Sequence, residues 1–185
     1  MTPTTLAVET TDYSVYPIFK EQVQLALQAR GSLGAIVGVE RLGLRYIDEL
    51  RLPEHGVGPK QWRGYVSDEI LAPLALAQDD LASNLEGAVQ LSIAKDRSLV
   101  LRYGTSAGKG VVGNGSLRRR TDTPEGFFVI DIDSFWSSPA EETPEFVVSS
   151  VLKLLDELHE PTRRIFLKCI QEKFKVEIAS RVPSA

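Results

Sequence analysis

The chain of 185 residues can bury one hydrophobic core, and its 43% hydrophobic and 25% charged residues exclude a disordered or fibrous protein. Its 21 basic and 25 acidic residues give a formal net charge of −4, which excludes a general attraction to nucleic acids or anionic membranes. Cys169 is the only cysteine and there are two histidines, so we expect no disulfide, no zinc site and no cofactor. The absence of a leader pattern or long apolar run favours a reducing, cytoplasmic location without a membrane span.

The N-terminal part of the chain predicts a strand followed by a helix. Residues 6–13 are rich in β-branched side chains, which favour an extended conformation. Ser14 is a candidate N-cap for the following helix, in which Phe19, Val23 and Leu27 recur at helical spacing.

The segment VERLGLRYIDELRLP, residues 39–53, alternates apolar and charged side chains as a half-buried strand does. The alternation divides the strand into two faces: Leu42, Leu44, Tyr46, Leu50 and Leu52 on one, and Arg41, Arg45, Glu49 and Arg51 on the other. Pro53 is expected to end the strand. Asp48 is the exception, because it falls on the apolar face and there needs a hydrogen-bond donor, a bulge that turns it outward, or a catalytic role.

The middle of the chain predicts a loop, a short helix and a hairpin. Trp62 and Tyr65 are interpreted as loop anchors rather than a stacking platform, and the helix begins near Ser67. In the hairpin of residues 87–104, a turn at Lys-Asp or Asp-Arg separates two apolar rows that are expected to face the core: Val89, Leu91 and Ile93, and then Leu99, Leu101 and Tyr103. Arg102 therefore points outward.

Residues 104–126 are expected to form a long mobile hairpin loop, because five glycines lie between positions 104 and 115 and Pro124 and Gly126 follow. The glycines do not match a P-loop, since Gly110 stands where a serine or threonine would coordinate magnesium. Three consecutive arginines, Arg118, Arg119 and Arg120, form a candidate site for contact with phosphates or a partner.

The C-terminal part predicts a last strand at residues 127–136 and then a long helix whose apolar residues recur at i, i+3 and i+4. Pro161 is expected to interrupt this helix, or to restart it at its first position. The predicted fold is α+β: a mostly antiparallel sheet of about five strands with helices on one face. Residues 1–178 are expected to form a single domain, with 179–185 as a flexible tail.

The alternation also predicts a charged face on this sheet, opposite the helices. Arg41, Arg45 and Arg102 lie there by parity, and Asp131 and Asp133 join them because Ile130 and Ile132 point to the core. This face is either a binding surface in which arginines grip an anionic group, or a solvated surface with cross-strand ion pairs.

Catalytic patterns are few. His55 and His159 lie outside any nucleophile-elbow or HExxH pattern and are interpreted as surface, cap or core-edge residues. Asp131 and Asp133, with Glu9 and Asp48, have the oxygen ligands that a divalent cation prefers, but the pattern is unspecific.

The motif in residues 39–53 resembles the hallmark of a sporadically distributed family of uncharacterised prokaryotic proteins, Arg-x-Gly-Leu-Arg-Tyr followed by Ile or Val and then Asn or Asp. Three further blocks match in order: YSVYPIFKEQV, FFVIDIDSFW and LHEPTRRIFLKCI. The resemblance singles out six positions: Arg41, Gly43, Arg45, Tyr46, Asp48 and His159. Asp48 replaces the usual Asn, and the chain resembles a short form without the family's N-terminal segment. The resemblance implies a place among accessory or defence-associated genes and no assigned activity.

The leading hypothesis from the sequence is a non-catalytic binding or regulatory module that uses the charged face and the Gly/Arg loop to hold another protein or itself. One alternative is an enzyme for a phosphorylated or nucleotide-like substrate, with the arginines as anion clamps. A second alternative is a nucleic-acid accessory protein that uses Arg118–Arg120.

Overall fold

The computed structural model describes residues 4–52, 58–76, 82–106, 126–139 and 143–181. Within these ranges four strands and four α-helices follow one another: α1 (Tyr16–Ser32), β1 (Arg41–Leu50), α2 (Asp68–Leu71), β2 (Glu86–Ala94), β3 (Arg97–Ser106), β4 (Phe127–Ser137), α3 (Val148–Cys169) and α4 (Glu172–Arg181). Two 3-10 helices flank α2, at Pro59–Trp62 and Ala72–Leu76. The α+β class is confirmed.

The strands form one antiparallel sheet in the order β1-β4-β3-β2. The expected number of about five strands was one too high, because residues 6–13 lie outside the sheet. Leu6 and Val8 from this segment pack against the apolar cluster beneath α3 instead. The β-branched composition of residues 6–13 therefore reflects a half-buried segment rather than a paired strand.

The core lies between the sheet and α3, which packs across β4 and β1. Leu44 and Leu50 of β1 and Ile130 and Ile132 of β4 point into it, as the alternation predicts. Leu158 of α3 is fully buried above them. The prediction that Trp62 anchors the loop is confirmed, because the residue is 1% exposed and its ring centre lies 5.4 Å from the ring centre of Phe128.

The hairpin of β2 and β3 turns at Lys95 and Asp96. Leu99 and Leu101 face the core as predicted, but Val89 and Leu91 of β2 do not reach it and stay 43% and 36% exposed. The reason is position: β2 is the edge strand, and the helix that covers the sheet packs on β4 and β1.

Two helix signals were misread. Val15 rather than Ser14 is the N-cap of α1, no side chain caps the helix, and Pro17 is the second residue of its first turn. Pro161 neither interrupts nor restarts α3, which runs through it. Proline lacks the N–H that would bond to the carbonyl of Glu157, so the helix continues past the buried Pro161 with one backbone hydrogen bond fewer.

The C-terminal helix breaks at Ile170 instead. Ile170 is extended and forms an antiparallel bridge with Val66. The carbonyl of Cys169 accepts the N–H of Ser67 at 2.9 Å, and Gln171 donates its N–H to the carbonyl of Tyr65 at 2.8 Å. The carbonyl of Cys169 and the N–H of Gln171 thus find hydrogen-bond partners in residues 65–67 instead of within a helix. The helix can therefore end here, and α4 begins as a separate helix.

Several predictions fall outside the described residues. They concern Pro53, His55, most of the Gly/Arg loop (107–125, including Arg118, Arg119 and Arg120) and the last part of the tail (182–185). The first residues of the loop prediction, up to Ser106, belong to β3, and the first residues of the predicted tail, up to Arg181, belong to α4.

Candidate functional site on the open sheet face

Strand register brings five of the predicted site residues to one face. Where β1 pairs with β4, Arg45 lies opposite Asp133. Where β3 pairs with β4, Arg102 lies opposite Asp131. Arg41 lies two residues before Gly43 on the same face of β1. This face is turned away from α3, because the alternate residues of β1 and β4 point towards that helix. We call it the charged face: Arg41, Arg45, Arg102, Asp131 and Asp133.

Asp131 is the centre of the charged face. Arg45 donates two hydrogen bonds to its carboxylate, from Nε at 2.8 Å and from a terminal nitrogen at 2.7 Å. The guanidinium of Arg102 lies 3.7 Å from the same carboxylate. Asp131 is only 6% exposed, whereas both arginine side chains are about half exposed. The hydrogen bonds with Asp131 raise the pKa of Arg45, so this guanidinium stays charged at any physiological pH.

Aromatic rings support the arginines at both ends of the charged face. The guanidinium of Arg41 lies 4.5 Å from the ring centre of Phe135, and that of Arg51 lies 4.7 Å from the ring centre of Phe127. Arg51 also donates to Glu49 at 2.8 Å. A guanidinium that lies over a ring can still donate hydrogen bonds in its own plane, as Arg51 does to Glu49.

Asp48 does not belong to the charged face. Its register partner is Ile130, so it lies on the core side of β1, and the pairing there is regular. Within the described chain no donor contacts its carboxylate, and burial raises its pKa to about 6. The predicted donor and bulge are therefore both absent there. Because Asp131 and Asp133 project to the opposite side, the suggestion that these carboxylates gather one metal ion is wrong.

A second polar cluster was not predicted from the sequence. His159 of α3 stacks on Tyr16 of α1, with ring centres 3.7 Å apart and planes 3° from parallel. Its Nδ1 lies 3.4 Å from the hydroxyl of Tyr46. The carboxylate of Asp156 accepts hydrogen bonds from Tyr16 at 2.8 Å and from Lys20 at 2.7 Å. We call this group the tyrosine–histidine cluster: Tyr16, Lys20, Tyr46, Asp156 and His159.

The electrostatics of the tyrosine–histidine cluster favour a structural role. Burial lowers the pKa of His159, which keeps the ring neutral at pH 7. Burial opposes ionisation of Asp156, but hydrogen bonds from Lys20 and Tyr16 outweigh it and hold the pKa of Asp156 below its ordinary value. The cluster thus ties α1 to α3 and β1. The available sequence signal was helical spacing, since Tyr16 and Lys20, like Asp156 and His159, are one turn apart.

In the ranges that the structure describes, no three His, Cys, Asp or Glu side chains are grouped to hold a metal ion. None of the helices within those ranges is both long and apolar enough to cross a membrane.

Comparison with known proteins gives one partial similarity. No family model matches the sequence, and no solved structure matches significantly. Prefoldin subunit 3 from Homo sapiens and from Pongo abelii are each 37% identical to the chain over 73 residues. The aligned stretch is 39% of this chain and 35% of each relative, so the chain spans about a third of the length of the curated relatives that it matches.

Proposed function

We propose that the protein is a non-catalytic binding or regulatory module whose charged face holds a partner protein. The observation that carries the proposal is the arrangement at Asp131, in which a buried carboxylate positions two half-exposed guanidinium groups side by side. Arginines fixed in this way lose little rotamer freedom on binding, which favours their use as anchors in an interface.

The neighbours of these arginines also favour a protein partner. Phe135 lies beneath Arg41, and Ile47, between Arg45 and Glu49 in sequence, is 38% exposed on the same face. Protein interfaces are enriched in arginine and aromatic residues, and they combine apolar contacts with a small number of hydrogen bonds. The face offers both in one layer.

A phosphorylated substrate is less well supported. Asp131 already accepts from Arg45 and lies close to Arg102, so an added anion would compete with a buried carboxylate for the same donors. Asp133 adds a second negative charge opposite Arg45. The nucleic-acid alternative depends on Arg118–Arg120, which lie outside the described residues, and it stays a prediction.

The similarity to prefoldin subunit 3 supports the same proposal at a coarser level. Those relatives are named as subunits, and a subunit acts by contacting other chains. We therefore propose that this chain works within a protein complex. Membership of the prokaryotic family with the Arg-x-Gly-Leu-Arg-Tyr motif, and a cytoplasmic accessory or defence-associated role, are further parts of the proposal.

The test is capture of partners from the native cell with the wild-type chain as bait, followed by mass spectrometry of the protein and small-molecule fractions. The variant carries Arg41→Ser and Arg102→Ser, which remove exposed guanidinium groups but leave the bidentate pair of Arg45 and Asp131 in place. We expect proteins that the wild type enriches to be lost, because the variant keeps the fold but lacks two anchors.

The matched control carries Arg163→Ser and Arg164→Ser, which remove the same number of exposed arginines from α3 on the other side of the sheet. Partners retained by the control and lost by the charged-face variant support the proposal. Identical capture by wild type and charged-face variant contradicts it, and a small-molecule phosphate that co-purifies only with the wild type favours the enzyme alternative.

A further inference from the structure

The outer edge of β2 is the least protected part of the sheet. No described strand pairs with it on that side, and no hydrogen bond to its backbone is made from outside the hairpin. From Gly87 to Ala94 the strand carries no charge and no proline. Charged residues and prolines are the usual means by which edge strands avoid pairing with another chain, and β2 lacks them over this stretch.

The hydrogen-bond pattern of the hairpin determines which groups face outward. Thr105 donates its N–H to the carbonyl of Leu85 at 2.9 Å, so Leu85 is bonded to β3. Because bonded and non-bonded pairs alternate along an antiparallel ladder, Gly87, Val89 and Leu91 are bonded to β3 as well. The backbone N–H and C=O groups of Ala88, Gln90 and Ser92 therefore point away from the sheet.

We infer that β2 pairs antiparallel with β2 of a second copy of this chain, about a two-fold axis at Gln90, to form a continuous eight-stranded sheet. In this register the outward groups match: Gln90 meets Gln90 of the second copy, and Ala88 meets Ser92 of the second copy. The pairing forms about six backbone hydrogen bonds. The independent proposal for the charged face does not enter this argument.

Side chains support the same register. Val89 and Leu91, which are 43% and 36% exposed on the core side of β2, lie opposite Leu91 and Val89 of the second copy. Four exposed apolar side chains thereby form one strip that continues the core past the region α3 covers. A register shifted by two residues in one direction would place Leu91 opposite Gly87, where it has no side chain to contact, and a shift in the other direction would extend the ladder to Ala94, beyond the β-bulge.

Charges at the ends of the strand fit as well. Glu86 at the start of β2 is exposed, and Lys95 in the turn at its other end is exposed too. The antiparallel register brings Glu86 of one copy to the end of the strand that carries Lys95 of the other, and the symmetry makes this contact twice. A β-bulge between Ser92 and Ala94 limits the ladder to the residues before it.

The first test is the mass of the full chain in solution, measured by sedimentation equilibrium over a range of concentrations. We expect a reversible monomer–dimer equilibrium in the wild type. Gln90→Pro removes an outward N–H and no bond within the sheet, and Leu91→Lys places a charge in the apolar strip, so both variants should be monomers that melt at the temperature of the wild-type monomer at high dilution. Leu25→Lys, at a leucine of α1 that is 65% exposed and lies outside the sheet, is the control and should keep the dimer.

A wild type that stays monomeric at its highest soluble concentration overturns the inference. So does a dimer that survives Gln90→Pro but dissociates with Leu25→Lys. The charge swap then tests the register: Glu86→Lys alone and Lys95→Glu alone should each weaken the dimer, and the double variant should restore it. Failure of the double variant to restore the dimer overturns the two-fold register about Gln90.

Discussion

Ile132 and Asp133 are neighbours in β4, yet they belong to two different regions of the molecule. Ile132 points into the core and is fully buried, whereas Asp133 points to the charged face and keeps access to solvent. One strand thus contributes both to the core of this fold and to the proposed interaction surface. Substitutions on the two faces should therefore separate stability from binding.

The largest expected effect is on the core side. Ile132→Ala removes a fully buried side chain beneath α3, and we expect the free energy of unfolding to fall by about 2–5 kcal/mol, since a cavity remains. Asp133→Ala is the control one residue away and should change it by less than about 1 kcal/mol. Urea denaturation of both variants measures this difference. Equal losses would show that the charged face is as important for stability as the core.

The second effect is the pH dependence caused by Asp48. Its pKa is about 6 in the folded chain and 3.8 in a free side chain, so the folded state holds the proton more tightly. This contribution to stability is lost as the pH rises from about 4 to about 6. Asp48→Asn should remove the loss and stabilise the protein by about 3 kcal/mol at pH 7.

The measurement is the difference in unfolding free energy between Asp48→Asn and the wild type at about pH 4.5 and about pH 7.5, between which most of the contribution of Asp48 is lost. The difference cancels the contributions of other groups, including His159. If this difference in unfolding free energy is the same at both pH values, the carboxylate of Asp48 in the wild type is solvated.

A smaller effect is expected at the centre of the charged face. Arg45→Ala leaves the buried carboxylate of Asp131 with Arg102 alone, at 3.7 Å, and should cost about 1 kcal/mol. Arg45→Lys keeps the charge but cannot form both hydrogen bonds, so it should recover only part of the loss. In thermal melts, the difference in melting temperature between Arg45→Lys and Arg45→Ala should decrease as the salt concentration increases. Full recovery with Lys would show that the bidentate geometry is unimportant.

The smallest effect is expected in the tyrosine–histidine cluster. Tyr46→Phe removes a hydroxyl whose contact with Nδ1 of His159 is long, at 3.4 Å, so we expect a loss of less than about 1 kcal/mol. His159→Phe keeps the stacking on Tyr16 and is the matched variant. A loss larger than that of Ile132→Ala would show that this cluster, rather than the core, holds the helices on the sheet.

The two faces of the sheet could be predicted because side-chain alternation is a local property. Arg45, Arg102 and Asp131 share a face simply through the parity of their positions. The same argument correctly isolated Asp48 on the core side, although its lack of a donor depends on packing that no local pattern contains. The alternation predicts which residues share a face but not what that face binds, so the binding partner stays a proposal.

The features that could not be predicted depend on distant contacts. The C-terminal helix breaks at Ile170 because residues 65–67 satisfy its backbone, and Pro161 is tolerated because it is buried among neighbours. The tyrosine–histidine cluster joins three elements that are far apart in sequence. The exposure of Val89 and Leu91 follows from the order of the strands, which a hydrophobic pattern does not specify.

The bridge between Val66 and Ile170 has a kinetic consequence. It closes a loop of roughly a hundred residues, and β1 must likewise wait for β4, its only described neighbour, to be synthesised. Non-local closure of this kind slows folding, because chain entropy is lost before the contacts form. The nascent chain therefore keeps its core open until Ile170 has left the ribosome.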